Sequence, residues 1–173
     1  GAALGYQGRA TEGRVHYLRA LATLERALGP DHLDVAYALF NLGVGHVNAE
    51  EHDQAAPYFE RALAIREAAL GPDHPHVAYP LTGIGHCRMA QGRIDEALAA
   101  FEHALRIAEG AQADPTLIAT ARYDLAQALW QAGRDRDRAI ELATLAHRTW
   151  KDEPRWQREA EDAAAWLASR RGR

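Results

Sequence analysis

Five residues, Leu28-Gly29-Pro30-Asp31-His32, return unchanged as Leu70-Gly71-Pro72-Asp73-His74, 42 positions further on. The likeness runs past both ends. Glu25-Arg26-Ala27 precedes the first copy where Glu67-Ala68-Ala69 precedes the second, and Val35-Ala36-Tyr37 follows where Val77-Ala78-Tyr79 does. A fixed period of this length confines the chain to stacked supersecondary units, each burying its apolar face against a neighbour. Alanine, leucine, arginine and glutamate dominate and β-branched residues are sparse, so the units are expected to be helical.

Taken in order, residues 9–28 carry Val15, Leu18, Leu21, Leu24 and Leu28 three or four apart, one face of an amphipathic helix. Gly29 is expected to close it in a left-handed conformation and Pro30 to stop it. Residues 36–49 form the next helix, Glu50 to Asp53 a polar turn, and a further helix runs through Leu70. Its apolar positions Ala55, Phe59, Ala62, Leu63 and Ile65 recur as Ala97, Phe101, Ala104, Leu105 and Ile107, again 42 positions on. Pro57 is expected near a first turn; Pro75 fits a first helical position, with His74 at or beside the cap. Pro80 should kink or delay its helix.

Gly110 to Asp114 is a degraded copy of the Gly-Pro-Asp-His turn, and Asp114-Pro115 restarts a helix carrying Leu117, Leu125, Leu129 and Trp130. The turn at 134–138 is one residue longer than its predecessor; Ala139, Leu142, Ala143 and Ala146 follow it. After a break at Asp152-Glu153-Pro154, Trp156, Ala160, Ala163, Ala164 and Leu167 form the apolar face of a last helix. Arg170, Arg171 and Arg173 stand at its C-terminal end, where cations suit the helix dipole. At the other end, Gln7-Gly8-Arg9 aligns with Gln91-Gly92-Arg93, so the chain is expected to open at the close of a first helix, as a piece of a longer polypeptide. The division is one repeat domain over 1–173: a partial unit 1–33, units 34–75 and 76–114, a degenerate unit 115–151, and a capping helix 152–173.

The small-and-large pattern inside each unit resembles tetratricopeptide repeats. Leu42-Gly43, Ala55, Phe59 and Ala62 carry it in the first complete unit, and Ile84-Gly85, Ala97, Phe101 and Ala104 in the second. Leu125-Ala126, Ala139 and Ala146 carry it in the third, where Ala143 replaces the phenylalanine; Gly8, Tyr17 and Ala20 match in the partial unit. The 42-residue period and the Leu-Gly-Pro-Asp-His turns are similar to the kinesin light chain type, whose ordinary relatives repeat every 34 or so residues. The resemblance implies an all-α, right-handed α–α superhelix of antiparallel hairpins. Small Gly43, Gly85, Ala55 and Ala97 would let paired helices approach, and Phe59 and Phe101 would wedge one hairpin against the next.

Chemistry is hard to place on this chain. A net charge of −4 makes no electrostatic case for nucleic acid or a membrane surface. His74-Pro75-His76 beside Asp73 invites a metal, but His32 occupies the same repeat position as His74, so the turn explains it. His86 and Cys87 are neighbours in a helix and point about 100° apart, which leaves a packed thiol rather than a nucleophile. Glu50-Glu51 reads as a solvated turn. No phosphate loop or nucleophile elbow is present, and no cofactor or catalytic residue is assigned. The single cysteine suits a reducing, cytoplasmic setting.

The resemblance implies a peptide-binding groove lined by the first helix of each unit. The first complete unit would supply Tyr37, Phe40, Asn41, Val44 and Asn48; the second, Tyr79, Thr82, His86 and Met89; the third, Tyr123, Asp124, Gln127, Trp130 and Gln131, with Thr120. The family's backbone-binding asparagine falls on Asn41, and Gly83 and Asp124 stand at the matching places. Aromatic rings with amides and hydroxyls suit an extended peptide, although Tyr37, Tyr79 and Tyr123 equally suit packing between helices. Two further expectations are self-association through an apolar face around Val15 and Leu18 of the partial unit, and regulation of an attached catalytic domain such as a bacterial kinase.

Overall fold

The computed structural model describes the backbone of residues 2–170 and the side chains of residues 15–170. Among the described residues eight α-helices follow one another: α1 (Ala2–Leu28), α2 (Leu33–Val47), α3 (His52–Leu70), α4 (Pro75–Ala90), α5 (Ile94–Gly110), α6 (Pro115–Gln131), α7 (Arg136–Trp150) and α8 (Gln157–Ala168), with a 3₁₀ turn, Pro154–Trp156, before the last. No strand occurs among the described residues. Each helix packs against the one before it and the one after it, and α2, α4 and α6 also touch in succession. That extra contact puts α2, α4 and α6 on the inner side of a stack of hairpins, a helical solenoid as the sequence implies.

The turns show why the pentapeptide recurs. Gly29 and Gly71 take φ of 90° and 88°, which an L-residue rarely adopts. With ψ at 155°, Gly71 lies outside the compact left-handed region, and the chain leaves extended toward Pro72. His32 and His74 then cap the inner helices: Nδ1 of each accepts from the backbone N–H two residues on, at 3.1 and 3.2 Å. Asp114 does the same for α6 at 2.8 Å. These imidazoles therefore hold an otherwise unpaired helix N–H. The longer turn before α7 uses its extra residue as Asp135, at φ 41°, whose carboxylate accepts from Arg138 N–H.

Three expectations change. α1 runs without a break through the Gln7-Gly8-Arg9 segment that was expected to be a turn; glycine tolerates a helix interior at a cost of about 1 kcal/mol. Pro57 lies in the second turn of α3 rather than the first, so the Asp53 carbonyl loses its partner four residues on. Glu51 is not simply solvated: its carboxylate lies 2.7 Å from His46 Nδ1.

The core is built around two rings. Phe59 is 1% exposed, and a Cβ placed on Gly43 or on Gly83 would stand 2.7 Å from its ring. One phenylalanine thus fills the space between the inner helix of its own unit and that of the next. Phe101 lies likewise against Gly85, where a Cβ would stand 2.5 Å away. The third unit has Ala143 in the ring's place and, facing that smaller residue, Ala126 instead of glycine; both are fully buried. At the C-terminal end, Ala160, Ala163 and Leu167 of α8 are buried while Arg158, Glu161 and Asp162 face water, so the last helix has one apolar and one charged face. Ala164, expected on the apolar face, is exposed, and Trp156 stands in the 3₁₀ turn before the helix. Arg171 and Arg173 lie outside the described residues.

Candidate functional site

A cavity of about 300 Å³ opens on the inner side of the stack. From α2 it takes Phe40, Val44 and Val47; from α4, Tyr79, Thr82, Gly83 and His86; from α6, Thr116, Leu117 and Thr120. Phe59 forms part of its floor, and Trp156, from the 3₁₀ turn, closes its far end. The lining is mostly carbon and holds no lysine or arginine. A pocket of this size and character is of the kind that takes small ligands or a few peptide side chains.

The groove does not follow one register. It touches the second half of α2, the middle of α4, only the first turns of α6, and then the residue just before α8. Its path drifts toward the helix N-termini by roughly one turn per unit, because successive hairpins are rotated relative to one another.

This drift sorts the residues expected from sequence. Phe40, Val44, Tyr79, Thr82 and His86 line the groove, as does Thr120. Tyr37 is 61% exposed and lies outside it. The Asn41 amide donates to the Tyr37 carbonyl at 2.8 Å, within its own helix, and Asn48 is the exposed C-cap of α2. Met89 packs against the core shared by the second and third units. Tyr123 meets Trp150 at 5.5 Å and Trp166 at 6.1 Å; Trp130 meets Trp166 at 5.7 Å, with the guanidinium groups of Arg136 and Arg170 4.9 and 5.3 Å from its centroid. Those rings join α6 to α8. Gln127 is half-buried and Gln131 exposed, neither in the cavity. Asp124 is buried and pairs with His86, Nε2 to Oδ1, at 3.4 Å.

Val47, Phe59, Gly83, Thr116, Leu117 and Trp156 line the groove without having been expected there. For Gly83 a signal existed: a glycine inside a helix, at the place of Asn41, is explained by the Phe59 ring beside it. Arg66 was also missed. Its guanidinium is buried 5.2 Å from the Phe40 centroid and donates to the His76 carbonyl at 2.7 Å, which ties α3 to the start of α4. Burial lowers its pKa, and nearby Tyr79 acts the other way.

The reactive candidates are accounted for structurally. Burial pushes the Cys87 thiol up to about 11, far from a thiolate at neutral pH. His76 is lowered by burial and then by the neighbouring His74 and Arg66, and Nδ1 of His74 is occupied by its cap. Among the described residues no three His, Cys, Asp or Glu side chains are placed to share a metal ion, and no helix is long and apolar enough to cross a membrane.

The family model described as tetratricopeptide repeat matches residues 1–68, 46–110 and 77–152. The chain belongs to the tetratricopeptide repeat family. Among solved structures, it is similar to BtubC (BKLC) from P. vanneervenii, at 23% identity and a TM-score of 0.73 over 82% of this chain. It spans 57% of the length of that protein. A putative kinesin light chain from Podosopora anserina with nearly identical repeats matches at 18% identity and a TM-score of 0.70, covering 96% of this chain and 83% of that one. A chain of a T3SS complex from Aeromonas hydrophila matches at 22% and 0.59, covering 86% of each. At these identities the likeness is one of fold. No curated protein matches the chain. Repeats of this family are generally protein-interaction scaffolds.

Proposed function

We propose that the array is a peptide-binding module, in a cytoplasmic setting, and that the bound segment lies extended along the diagonal from Val47 to Trp156. The observation that supports this most is the continuity of the apolar groove across α2, α4 and α6, with rings for contact area and threonine hydroxyls within reach of a backbone. Peptides selected from a random library on the immobilised protein are expected to bind at least about tenfold more weakly to Tyr79→Ala, whose ring forms the groove wall. The same peptides should bind Tyr37→Ala, outside the groove, with unchanged affinity. The reverse pattern would return the site to the register expected from sequence, and indifference to both rejects the groove.

Self-association is the second reading. Val15 and Leu18 are 43% and 45% exposed on α1; at the place of Leu18, α3 and α5 carry exposed Glu60 and Glu102, so α1 alone is apolar there. Solution scattering across a concentration series is expected to show growth in apparent mass that Leu18→Glu abolishes; a constant monomer mass ends this reading.

A further inference from the structure

Counting donors narrows what the groove accepts. The Thr82 hydroxyl donates to the Ala78 carbonyl at 3.1 Å, that of Thr120 to the Thr116 carbonyl at 2.9 Å, and that of Thr116 to the Asp114 carboxylate. A hydroxyl has one proton to give, so all three present only lone pairs to the groove. The donors left in the lining are the Tyr79 phenol, the Trp156 indole and His86. Of these, His86 alone changes its donor capacity around neutral pH.

His86 sits at the middle of the groove with its side chain 44% exposed. Its ring lies edge-on to Phe101 at 5.3 Å, and Nε2 is held by Asp124. Asp124 is 7% exposed, and its other oxygen, Oδ2, is buried with no hydrogen-bond partner, so the imidazole is what offsets this buried carboxylate. With Nε2 turned to the carboxylate in both states, protonation acts at Nδ1, which has no partner among the described residues. That atom accepts in the neutral ring and donates in the imidazolium.

We propose that His86 is the groove's proton-switched selectivity residue: as imidazolium it donates from Nδ1 to a carbonyl or carboxylate oxygen of the bound segment, and on deprotonation it ceases to. Asp124 is its positioning residue. The proposal rests on the peptide-groove reading above. Facing His86 are Phe101 from α5 and Asp124 from α6; no other charged side chain of the described residues pairs with it. Burial by itself would lower the ring's pKa, but the charge and hydrogen bond of Asp124 outweigh it, so His86 titrates above its ordinary value. The equivalent of Asp124 is Gly83 in the preceding unit and Asn41 before that, so this seam alone carries the carboxylate.

The sign follows from linkage. A raised folded-state value means that what the pair contributes is complete below the unfolded-state histidine value and is lost as pH rises through the folded one. Binding through Nδ1–H is lost over the same range. The test selects random-library peptides on the wild-type protein at about pH 6, below the ordinary histidine value, and at about pH 8.5, well above it, and measures Kd at both for each variant. Peptides selected at the lower pH are expected to bind about tenfold more weakly at the higher. His86→Gln, whose amide donates at any pH, should bind them equally at both. Asp124→Asn should move the midpoint to lower pH, seen directly in the NMR titration of the His86 imidazole.

Replacing Asp and Glu of the peptides by Asn and Gln, and amidating their C-termini, separates the two acceptors: retained pH dependence assigns a carbonyl, lost binding a carboxylate. Peptides whose Kd is the same at both pH values, or responds to pH equally in His86→Gln, overturn the proposal while leaving the groove standing. A library that yields no binder at either pH overturns both. Should Asp124→Asn fail to fold, the half-exposed His86→Gln position still decides.

Discussion

Phe59→Ala is expected to cost about 3–5 kcal/mol, the range for deleting a fully buried ring from a packed core. The ring is shared: Gly43 of its own unit and Gly83 of the next both leave room for it, and Phe40 lies 5.6 Å away. Alanine would leave a void between two backbones already held apart by other contacts, so little collapse can refill it. Because an array is stabilised largely by neighbour-to-neighbour terms, the loss should fall on the junction of the first two complete units. Urea unfolding followed by circular dichroism should then show an earlier and broader transition. A cost below about 1 kcal/mol would mean that the ring is not the wedge.

The glycines supply a check on the same claim. Gly83→Ala would ordinarily gain up to about 1 kcal/mol of helix propensity. Here its Cβ meets three atoms of a buried ring at 2.7 Å, so overpacking should dominate and the change should cost about 1–3 kcal/mol. In the Phe59→Ala background the clash is gone, and the same substitution should be neutral or stabilising. Additive effects of the two changes would contradict the packing.

Trp150→Ala is expected to cost about 3–5 kcal/mol and to release the last helix. The indole is buried between Tyr123 at 5.5 Å and Trp156, stacked at 6.3 Å, and Ala119, Ala146, Ala160 and Ala163 are small around it. Those four alanines leave no larger side chain to fill the gap, so α8 should detach from α7. Limited proteolysis reads this out: cleavage after Lys151 or Arg155 should become fast while the first two units stay resistant. Since Trp156 closes the groove, peptide affinity should fall as well. Trp150 Nε1 is buried without a hydrogen-bond partner, a standing cost that Trp150→Phe removes. That variant should keep the stack and lose far less stability. Equal losses for phenylalanine and alanine would show that the indole's size, and not the ring stack, holds α8.

Much of the fold is legible because its determinants are local. Gly29 and Gly71 mark positive φ, His32, His74 and Asp114 sit where an N-cap is needed, and the phenylalanine–glycine pairs appear at one offset. The failures are equally specific. The interior glycine of α1 resembles a turn when read by alignment alone, and Pro57 is tolerated one turn deeper than its chemistry favours. The site is less legible. Six of the fifteen residues expected in the groove line it, and all of these but Thr120 lie in α2 and α4. In α6 the same register gives Tyr123 and Trp130, which α8 covers through Trp166.

From the residues alone came the helical hairpins, their period, the wedge and the shape of the turns, since each depends on contacts within one unit or between adjacent ones. The line of the groove was settled by the tertiary structure, as was the placing of Trp156 at its end and of Asp124 behind His86. Rotation between hairpins adds up along the stack: a small angle per unit, invisible in any one repeat, carries the inner surface onto different residues by the third.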